Sequence, residues 1–229
     1  MKDGPNIVGI AALIGDHTRT DVLTALLGGK ALTATELTAI AGVTKQTISA
    51  HLAKLVDAQL IAVERQGRHR YFRLADEDVA RLLESLMGVA YRTGAIRLRS
   101  SPREPALRKA RVCYDHLAGE LSVQIYDSLL EQEAFAPGPD GLTLTAGGER
   151  FFKRSGIDVA AVRLQRRNFC RACLDWSERR HHLAGALGAA LLHHLLALGW
   201  AKRDRHSRVV SFSGSGETAL RKLFGLPQT

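Results

Sequence analysis

No uninterrupted apolar run in this sequence approaches twenty residues, so no membrane-spanning helix is expected. The first residues, MKDGPNIVGIAALIGDHT, contain an apolar stretch that is short and broken by Gly and Asp, which does not fit a signal peptide. Cysteine is scarce too: the chain has 3, an odd number, and without a secretion signal they are expected to be reduced thiols rather than a disulfide framework. These absences predict a cytoplasmic protein.

Sequence motifs of common enzymes are also missing. The chain has no Gly-rich phosphate loop and no Gly-x-Ser-x-Gly. A Cys-x-x-Cys pair does occur at Cys170 and Cys173, which leaves a thiol-based oxidoreductase as the alternative function. Such a redox pair normally follows a strand and begins a helix, whereas this one lies in an Arg-rich stretch, 160–179, that looks helical throughout. The sequence therefore predicts a protein that is not an enzyme.

Positive charge is in excess, with 32 Lys and Arg against 23 Asp and Glu and a formal net charge of +9. This balance favours polyanionic partners, and nucleic acid above a membrane surface, because no long basic amphipathic segment is evident. A length of 229 residues allows one large domain or two to three small ones.

Helical periodicity and cap residues predict a helix-turn-helix near the N-terminus. Two short helices are expected between residues 7 and 27. Thr33 and Glu36 then stand three residues apart, as in a capping box, and begin a third helix. Gly42 can adopt the left-handed conformation that a tight turn between helices needs, and the next helix begins at Thr44.

Residues 44–74 combine a helix with a basic β-hairpin. Ile48, Leu52 and Leu55 share one apolar face of the helix, and after it the pattern changes to strands that flank a basic tip at 65–70. A polar-faced helix followed directly by a basic hairpin is how a winged helix-turn-helix contacts DNA, with cations on phosphates and polar groups on base edges. The predicted DNA-contacting side chains are Thr44, Lys45, Gln46, Thr47, Ser49, His51, Lys54, Arg65, Arg68, His69 and Arg70.

A further helix is expected at about 76–91. Its apolar stripe is broader than the core of a winged helix needs, so a dimer or a second domain is expected to cover it. A basic connector broken by Pro102 and Pro105 follows, which is either a solvated linker or a phosphate-contacting segment. The expected domains are a winged helix-turn-helix at 1–91, a linker at 92–110 and an effector or sensor domain at 111–229.

Residues 16–74 resemble the DNA-binding core of the arsenic-repressor (ArsR) family of winged-helix regulators. The segments that carry the resemblance are ELTAIAGV and TKQTISAHLAKLVDAQLIAVERQGRHRYFRL. The resemblance implies a homodimer that binds an inverted-repeat operator as a transcriptional repressor until an effector binds. Metal-sensing members carry a cysteine pair in the helix before the turn, and here that helix, 35–41, has no Cys or His. The usual soft-metal site is therefore absent, and the resemblance does not identify the effector.

The C-terminal half contains short segments that occur twice in the same order. RVCYD at 111–115 recurs as RACLD at 171–175, HLAG at 116–119 as 182–185, and LTAGGE at 144–149 is echoed by FSGSGE at 212–217. Each copy predicts an apolar helix, a short hairpin and a Gly-Glu turn into another helix. We therefore expect a duplicated region, about 111–160 and 170–224, of two tandem winged-helix-like repeats. The expected fold class is mainly α with small β-hairpins (α+β).

Cysteine and histidine in these copies suggest a metal site. Cys113 and His116 form Cys-x-x-H and Cys170 and Cys173 form Cys-x-x-Cys, a set that could bind Zn²⁺ or another thiophilic metal ion. The spare candidates are Asp175, His181, His182, His193 and His194.

Two alternatives stay open for the same residues. The cysteines of the two copies could be equivalent, buried structural thiols with no metal. The paired half-sites, with Arg111, Tyr114, Arg171 and Trp176, could instead line a pocket for an organic or anionic effector.

Overall fold

The computed structural model describes residues 4–67, 69–93, 95, 104–138, 142–205 and 207–228. Contacts divide the chain into two compact units, one up to Leu83 and one from Glu84 onward. The division falls inside a helix, earlier than the domain boundary at residue 91 expected from the sequence. Within the described ranges, no helix is both long enough and apolar enough to cross a membrane.

The first unit consists of short helices and a three-stranded antiparallel sheet. The sheet has the strand order β1-β3-β2, and Val63 of β2 pairs with Phe72 of β3. The elements in chain order are α1 (Ile7–Ile14), α2 (His17–Leu26), β1 (Leu32–Thr33), α3 (Ala34–Ala41), α4 (Lys45–Asp57), β2 (Ile61–Gln66), β3 (His69–Leu74) and α5 (Glu77–Arg92), which continues into the second unit.

Local capping explains where the two helices of the helix-turn-helix begin and end. The Thr33 hydroxyl accepts a bond from the Glu36 N–H at 3.3 Å, and the Glu36 carboxylate accepts one from the Thr33 N–H at 2.7 Å. This reciprocal pair is the predicted capping box. Gly42 ends α3 with φ +65°, and the Thr44 hydroxyl caps α4 by accepting from the Thr47 N–H at 3.2 Å. The predicted caps and turn are confirmed.

An aliphatic core fixes the rotation of α4. Each fully buried Leu or Ile contributes about 1.5–3 kcal/mol, so the apolar face of α4 is held inward and its polar face is left to solvent. The buried side chains of this core include Val22, Leu23, Leu26, Leu27, Leu37, Ile48, Leu52, Leu55, Leu60, Ile61, Phe72 and Leu74.

The second unit contains the order hairpin, helix, hairpin, helix twice. The first copy is β4 (Arg111–Cys113), β5 (His116–Ala118), α7 (Glu120–Glu131), β6 (Phe135–Ala136), β7 (Thr143–Leu144) and α8 (Ala146–Arg154). The second copy is β8 (Arg171–Leu174), β9 (His181–Ala184), α10 (Gly185–Ala197), β10 (Ala201–Arg203), β11 (Val210–Phe212) and α11 (Gly214–Phe224). Helix α6 (Glu104–Lys109) precedes the first copy, and α9 (Val159–Arg163) lies between them. The fold class expected from the sequence, mainly α with small hairpins, is confirmed.

One local expectation is wrong. The stretch 160–179 is not helical throughout, because Arg171–Leu174 form strand β8. Burial alternates along this strand, with Arg171 and Cys173 buried and Ala172 and Leu174 exposed. A period of two is a strand signal, but four residues of it are too few to stand out beside an Arg-rich helical pattern.

The two copies interlock and share one hydrophobic core. Helix α7 of the first copy lies against β9 of the second, and α10 of the second lies against β5 of the first. The core runs through both copies and includes Leu121, Ile125 and Leu129 of α7 together with Leu187, Leu191 and Leu195 of α10. Neither copy therefore has a core of its own.

Equivalent glycines mark the same close backbone approach in each copy. Gly119 and Gly185 follow β5 and β9 with φ of +97° and +80°. A Cβ would lie 2.6 Å from the Arg108 carbonyl oxygen at Gly119 and 2.8 Å from the Asn168 carbonyl oxygen at Gly185. Both positions therefore require glycine, for the backbone angle and for the space.

We predict that Gly119→Ala lowers the free energy of unfolding by at least about 1–3 kcal/mol, because the new Cβ meets backbone and the φ angle is strained. Urea denaturation followed by circular dichroism measures this loss. The matched control is Gly88→Ala in α5, where a Cβ meets nothing within 4 Å. There we expect a gain of about 0.5–1 kcal/mol. Equal stability of the two variants would contradict the close approach at Gly119.

Candidate functional site

Helix α4 presents a face of polar and small side chains to solvent. This face lies opposite Ile48, Leu52 and Leu55, which are buried. Alanine at its centre lets the helix backbone come close to another surface, and its methyl group can contact the methyl group of thymine. Sequence reasoning missed the alanines because it selected polar atoms, although their helical spacing was visible. The exposed residues of α4 are Lys45, Gln46, Thr47, Ser49, Ala50, Ala53, Lys54 and Asp57.

Several hydroxyl groups near the start of α4 are already engaged within the protein. The Thr44 and Thr47 hydroxyls lie 2.9 Å apart, and the Ser49 hydroxyl donates to the Lys45 carbonyl oxygen at 2.8 Å. The Ser49 proton and one of the two threonine protons are therefore used, while all three oxygens can still accept bonds. Gln46 is then the exposed side chain of this face with an amide donor and an amide acceptor together, the combination that pairs with adenine.

His51 faces the α1–α2 junction. Its Nδ1 lies 3.3 Å from Arg19 Nη1 and 3.6 Å from Asp16 Oδ1. Arg19 also donates to the carbonyl oxygens of Leu13 at 2.6 Å and Ala12 at 2.8 Å, at the end of α1. The hydrogen bond from the Arg19 N–H lowers the pKa of Asp16, so this carboxylate stays charged beside Arg19. We interpret His51 as a residue that positions α4 rather than one that contacts a base.

The β2–β3 hairpin carries exposed basic side chains at its tip. Arg65 lies opposite Arg70, and Gln66 lies opposite His69. Like charges on directly opposite strand positions repel, and an anion bound beside them would relieve that repulsion. Gly67 turns the chain with φ +57°, while the predicted contact Arg68 lies outside the described residues. The hairpin thus offers a place for a phosphate.

A second candidate site is a buried cluster of cysteine and histidine in the second unit. In each copy, a cysteine on the first strand pairs with a histidine on the second: Cys113 with His116, and Cys173 with His182. Strands β5 and β9 lie side by side, which brings the two pairs together. All four side chains are buried, and their possible ligand atoms lie within 4.8 Å of one another.

The cluster differs in one member from the set selected by sequence spacing. Cys170 lies in the hydrophobic core, where its thiol donates to the Leu142 carbonyl oxygen at 3.4 Å and burial raises its pKa. Residues three apart along an extended chain point to opposite faces, so Cys170 and Cys173 diverge. The repeated segment HLAG predicts the fourth member of the cluster better than the Cys-x-x-Cys spacing does, because it aligns His182 with His116.

Each histidine of the cluster has an aspartate of its own hairpin beside Nδ1. His116 Nδ1 lies 3.2 Å from Asp115 Oδ1, and His182 Nδ1 lies 3.4 Å from Asp175 Oδ2. The two Nε2 atoms face each other at 3.1 Å. A carboxylate at Nδ1 favours the proton there, which leaves the lone pair on Nε2.

Asp175 is held by groups from both copies. It accepts bonds from Arg111 Nη2 at 2.8 Å and from the Gly119 N–H at 2.7 Å, both in the first copy. Burial alone would raise the pKa of Asp175, but the Arg111 and His182 charges and these hydrogen bonds lower it to about 2. Arg111 is 0% exposed and stacks 4.5 Å from the centre of the Trp176 ring, so it does not line an open pocket.

The two thiols of the cluster differ in proton affinity. A hydrogen bond from Cys113 strongly lowers the pKa of Cys173, against the effect of burial, and His116 and His182 lower it further. The same bond, together with burial, raises the pKa of Cys113. Burial lowers the pKa of His116, but hydrogen bonds with Asp115 and Cys173 raise it to about 9. The cluster therefore stabilises a thiolate next to a positive charge.

Comparison with known proteins gives one match within the first unit and one over nearly the whole chain. Residues 14–64 match the family model for a helix-turn-helix domain. Over 218 residues the chain is 43% identical to YdfF of Bacillus subtilis (strain 168), described as an uncharacterized HTH-type transcriptional regulator; the match covers 95% of this chain and 96% of that protein. The expected helix-turn-helix is confirmed.

Two solved structures are similar to part of the chain. The homodimeric winged helix-turn-helix DNA-binding domain of Mb0332 from Mycobacterium bovis is 24% identical, with a TM-score of 0.35, over 39% of this chain and 90% of that one. The cadmium metal-sensor CMTR from Mycobacterium tuberculosis is 31% identical, with a TM-score of 0.31, over 35% of this chain and 82% of that one.

We predict that Asp175→Asn lowers the free energy of unfolding by about 3–5 kcal/mol, because it leaves the charge of Arg111 buried and unpaired. Chemical denaturation of the full-length protein measures the loss. The control is Asp78→Asn, which breaks the exposed ion pair with Arg81 on α5 and should cost less than about 1 kcal/mol. Losses of the same size would argue against a central role for Asp175.

Proposed function

We propose a specific mode of DNA binding for this chain, which belongs to the family of HTH-type transcriptional regulators. As a family of DNA-binding regulators, these proteins are not enzymes, as the sequence predicted. The proposed function is that of a homodimeric repressor that binds an inverted-repeat operator and leaves it when an effector binds the second unit. The observation that supports it most is the exposed α4 face beside the basic β2–β3 hairpin.

The exposed face of α4 fits the major groove. This groove is wide enough to admit an α-helix, and its base edges carry the donor and acceptor pattern that specifies sequence. We propose that Gln46 reads a base edge and that Ala50 and Ala53 allow the close approach this requires. Lys45 and Lys54 lie at the margins of the same face, where phosphate oxygens run along the groove.

The hairpin tip is proposed to contact the DNA backbone next to the groove. Arg65 and Arg70 supply two exposed cations on facing strand positions. Arg70 also lies 5.4 Å from the centre of the Phe72 ring, a contact that restricts its side chain. Contacts with phosphates add affinity on any sequence and depend on salt, because they release counterions.

The dimer is proposed to form through helix α5. Leu82, Leu86 and Val89 follow each other at helical spacing and are 39%, 43% and 45% exposed. An exposed apolar stripe on a regulator is the kind of surface that a second copy covers. A two-fold dimer would require half-sites in inverted orientation, with centres about 10 base pairs or a multiple apart.

Release from the operator requires an effector that prefers the form that does not bind DNA. Its effect on operator affinity equals its ratio of affinities for the two forms. A true effector must therefore bind more weakly to the operator-bound protein by the same factor. Isothermal titration of effector candidates with and without operator tests this reciprocity, and a compound that binds both states equally is not the effector.

We predict that Gln46→Ala and Arg65→Ala change DNA binding in different ways. Gln46→Ala should reduce discrimination against one altered base pair by about 1–3 kcal/mol, because it removes a contact with a base edge. Arg65→Ala should weaken binding to all sequences and reduce the slope of log affinity against log salt by about 1. Fluorescence anisotropy titrations measure both effects, with operators selected from random duplexes by the full-length protein.

The control for the charge change is Arg81→Ala, which removes an exposed arginine of α5 rather than one of the hairpin. It should leave the salt slope unchanged. The proposed contacts are wrong if Gln46→Ala and Arg65→Ala both bind the selected operator as the unmodified protein does.

We predict that Leu86→Lys converts the dimer to a monomer, because it places a charge in the apolar stripe of α5. Light scattering coupled to size-exclusion chromatography gives the mass of the 25.0 kDa chain or of its dimer. The control is Arg81→Glu, a charge change at an exposed residue of the same helix that lies 80° or more around the axis from Leu82, Leu86 and Val89. A dimer that survives Leu86→Lys would place the interface elsewhere.

A further inference from the structure

We propose that the two hairpins β4–β5 and β8–β9 together bind one thiophilic divalent metal ion of the Zn²⁺ type through four side chains: Cys113, His116, Cys173 and His182. Each copy contributes one cysteine and one histidine from paired strand positions. This proposal is independent of the DNA that the protein binds, so it does not rest on the proposed function.

The spacing of the side chains matches tetrahedral coordination. Two imidazole nitrogens bound to one zinc ion at ordinary Zn–N lengths lie about 3.3 Å apart. The facing Nε2 atoms of His116 and His182 are 3.1 Å apart. All four candidate ligand atoms lie within 4.8 Å of one another, which leaves room for the longer bonds that thiolate sulfur makes to zinc.

The histidine tautomers create a demand for a cation. Asp115 and Asp175 each lie beside an Nδ1 and favour the proton on that nitrogen. Both Nε2 atoms then present lone pairs to each other across 3.1 Å, in a place where both rings are almost fully buried. Two facing lone pairs repel unless a proton or a metal ion lies between them. A metal ion satisfies both rings at once and leaves both aspartate contacts intact.

The cysteines decide in favour of a metal ion rather than a lone proton. A proton between the rings bridges only the two histidines, although both cysteine sulfurs lie within the same 4.8 Å cluster. A divalent ion instead accepts electron pairs from two thiolates, and the charges of the ion and its ligands cancel in the buried site. Binding therefore releases thiol protons to solvent. Two thiolates with two imidazoles form a donor set that suits zinc above hard cations.

The groups around the four ligands are arranged as in a supported metal site. Asp115 forms an ion pair with Arg167, and Asp175 is fixed by Arg111 and by the Gly119 N–H. Carboxylates that orient ligand histidines in this way strengthen metal binding. Ala118 and Ala184, both 0% exposed, pack with the two thiols and exclude water from them.

The proposed ion has a structural role. All four coordination positions are filled by the protein, which is the arrangement of structural rather than catalytic zinc. Because each copy supplies half of the ligands, the ion links the hairpin of one copy to that of the other. Metal binding should therefore stabilise the second unit as a whole.

The test is a titration of the full-length protein with Co²⁺, after removal of metals by a chelator in the presence of a thiol reductant. Tetrahedral Co²⁺ with thiolate ligands gives strong visible bands and a sulfur-to-cobalt charge-transfer band. We expect both to saturate at one Co²⁺ per chain and to disappear on addition of Zn²⁺. Zn²⁺ should also raise the unfolding temperature by about 10 °C at saturating concentration.

Matched variants assign the bands to the proposed ligands. Cys113→Ser and His182→Ala should lose the tetrahedral spectrum, whereas Cys170→Ser and His181→Ala should keep it. Cys170 is the cysteine outside the cluster, and His181 is the exposed neighbour of His182. Asp115→Asn should retain the spectrum but weaken Co²⁺ binding by about tenfold, because Asp115 orients the ligand His116 without being a ligand itself.

Three results would overturn the proposal. They are the absence of a stoichiometric tetrahedral spectrum from the unmodified protein, an unchanged spectrum from Cys113→Ser, and a Cys113–Cys173 disulfide in protein that was purified under reducing conditions. The first and third need no variant, so they hold even if a substitution prevents folding. Circular dichroism of each variant separates a lost ligand from a lost fold.

Discussion

A single buried carboxylate, that of Asp175, is the constraint on which the second unit depends. It belongs to the second copy, where Ser177 and the Glu178 N–H bind it, yet its ion pair with Arg111 and its bond from the Gly119 N–H come from the first. A carboxylate that is 0% exposed is stable only when it is paired and hydrogen-bonded. Asp175 and Arg111 therefore form their buried ion pair only when the two copies stay together. The shared core, the crossed helices and the cysteine–histidine cluster all lie around this contact.

The first unit follows a simpler constraint. One apolar face on α4, buried against a leucine-rich core, fixes which side of the helix faces solvent. Arg19 adds to this, since it binds the end of α1 and lies beside His51 of α4. The proposed DNA contacts are thus a consequence of packing on the opposite side of the helix, and polar residues on α4 do not all serve the same purpose.

Sequence reasoning located the first unit well because its signals are local. A capping box, a left-handed glycine and a change of period from helix to strand each involve a few neighbouring residues, as at Thr33 and Gly42. The second unit was only partly predictable. The repeat indicated equivalent positions, but the hairpins β4–β5 and β8–β9 are three or four residues per strand and give little periodicity. The choice between Cys170 and His182 depended on strand geometry and on long-range packing, which spacing alone does not contain.

The division of the cluster between the copies has a consequence for assembly. One hairpin carries one cysteine and one histidine, so a half-length chain could assemble all four only by pairing with a second molecule across a two-fold axis. The interlocked helices, α7 against β9 and α10 against β5, are the contacts that such a symmetric pair would make. The chain holds both halves on one polypeptide, and the turn between β8 and β9 is longer than that between β4 and β5 without separating these four side chains.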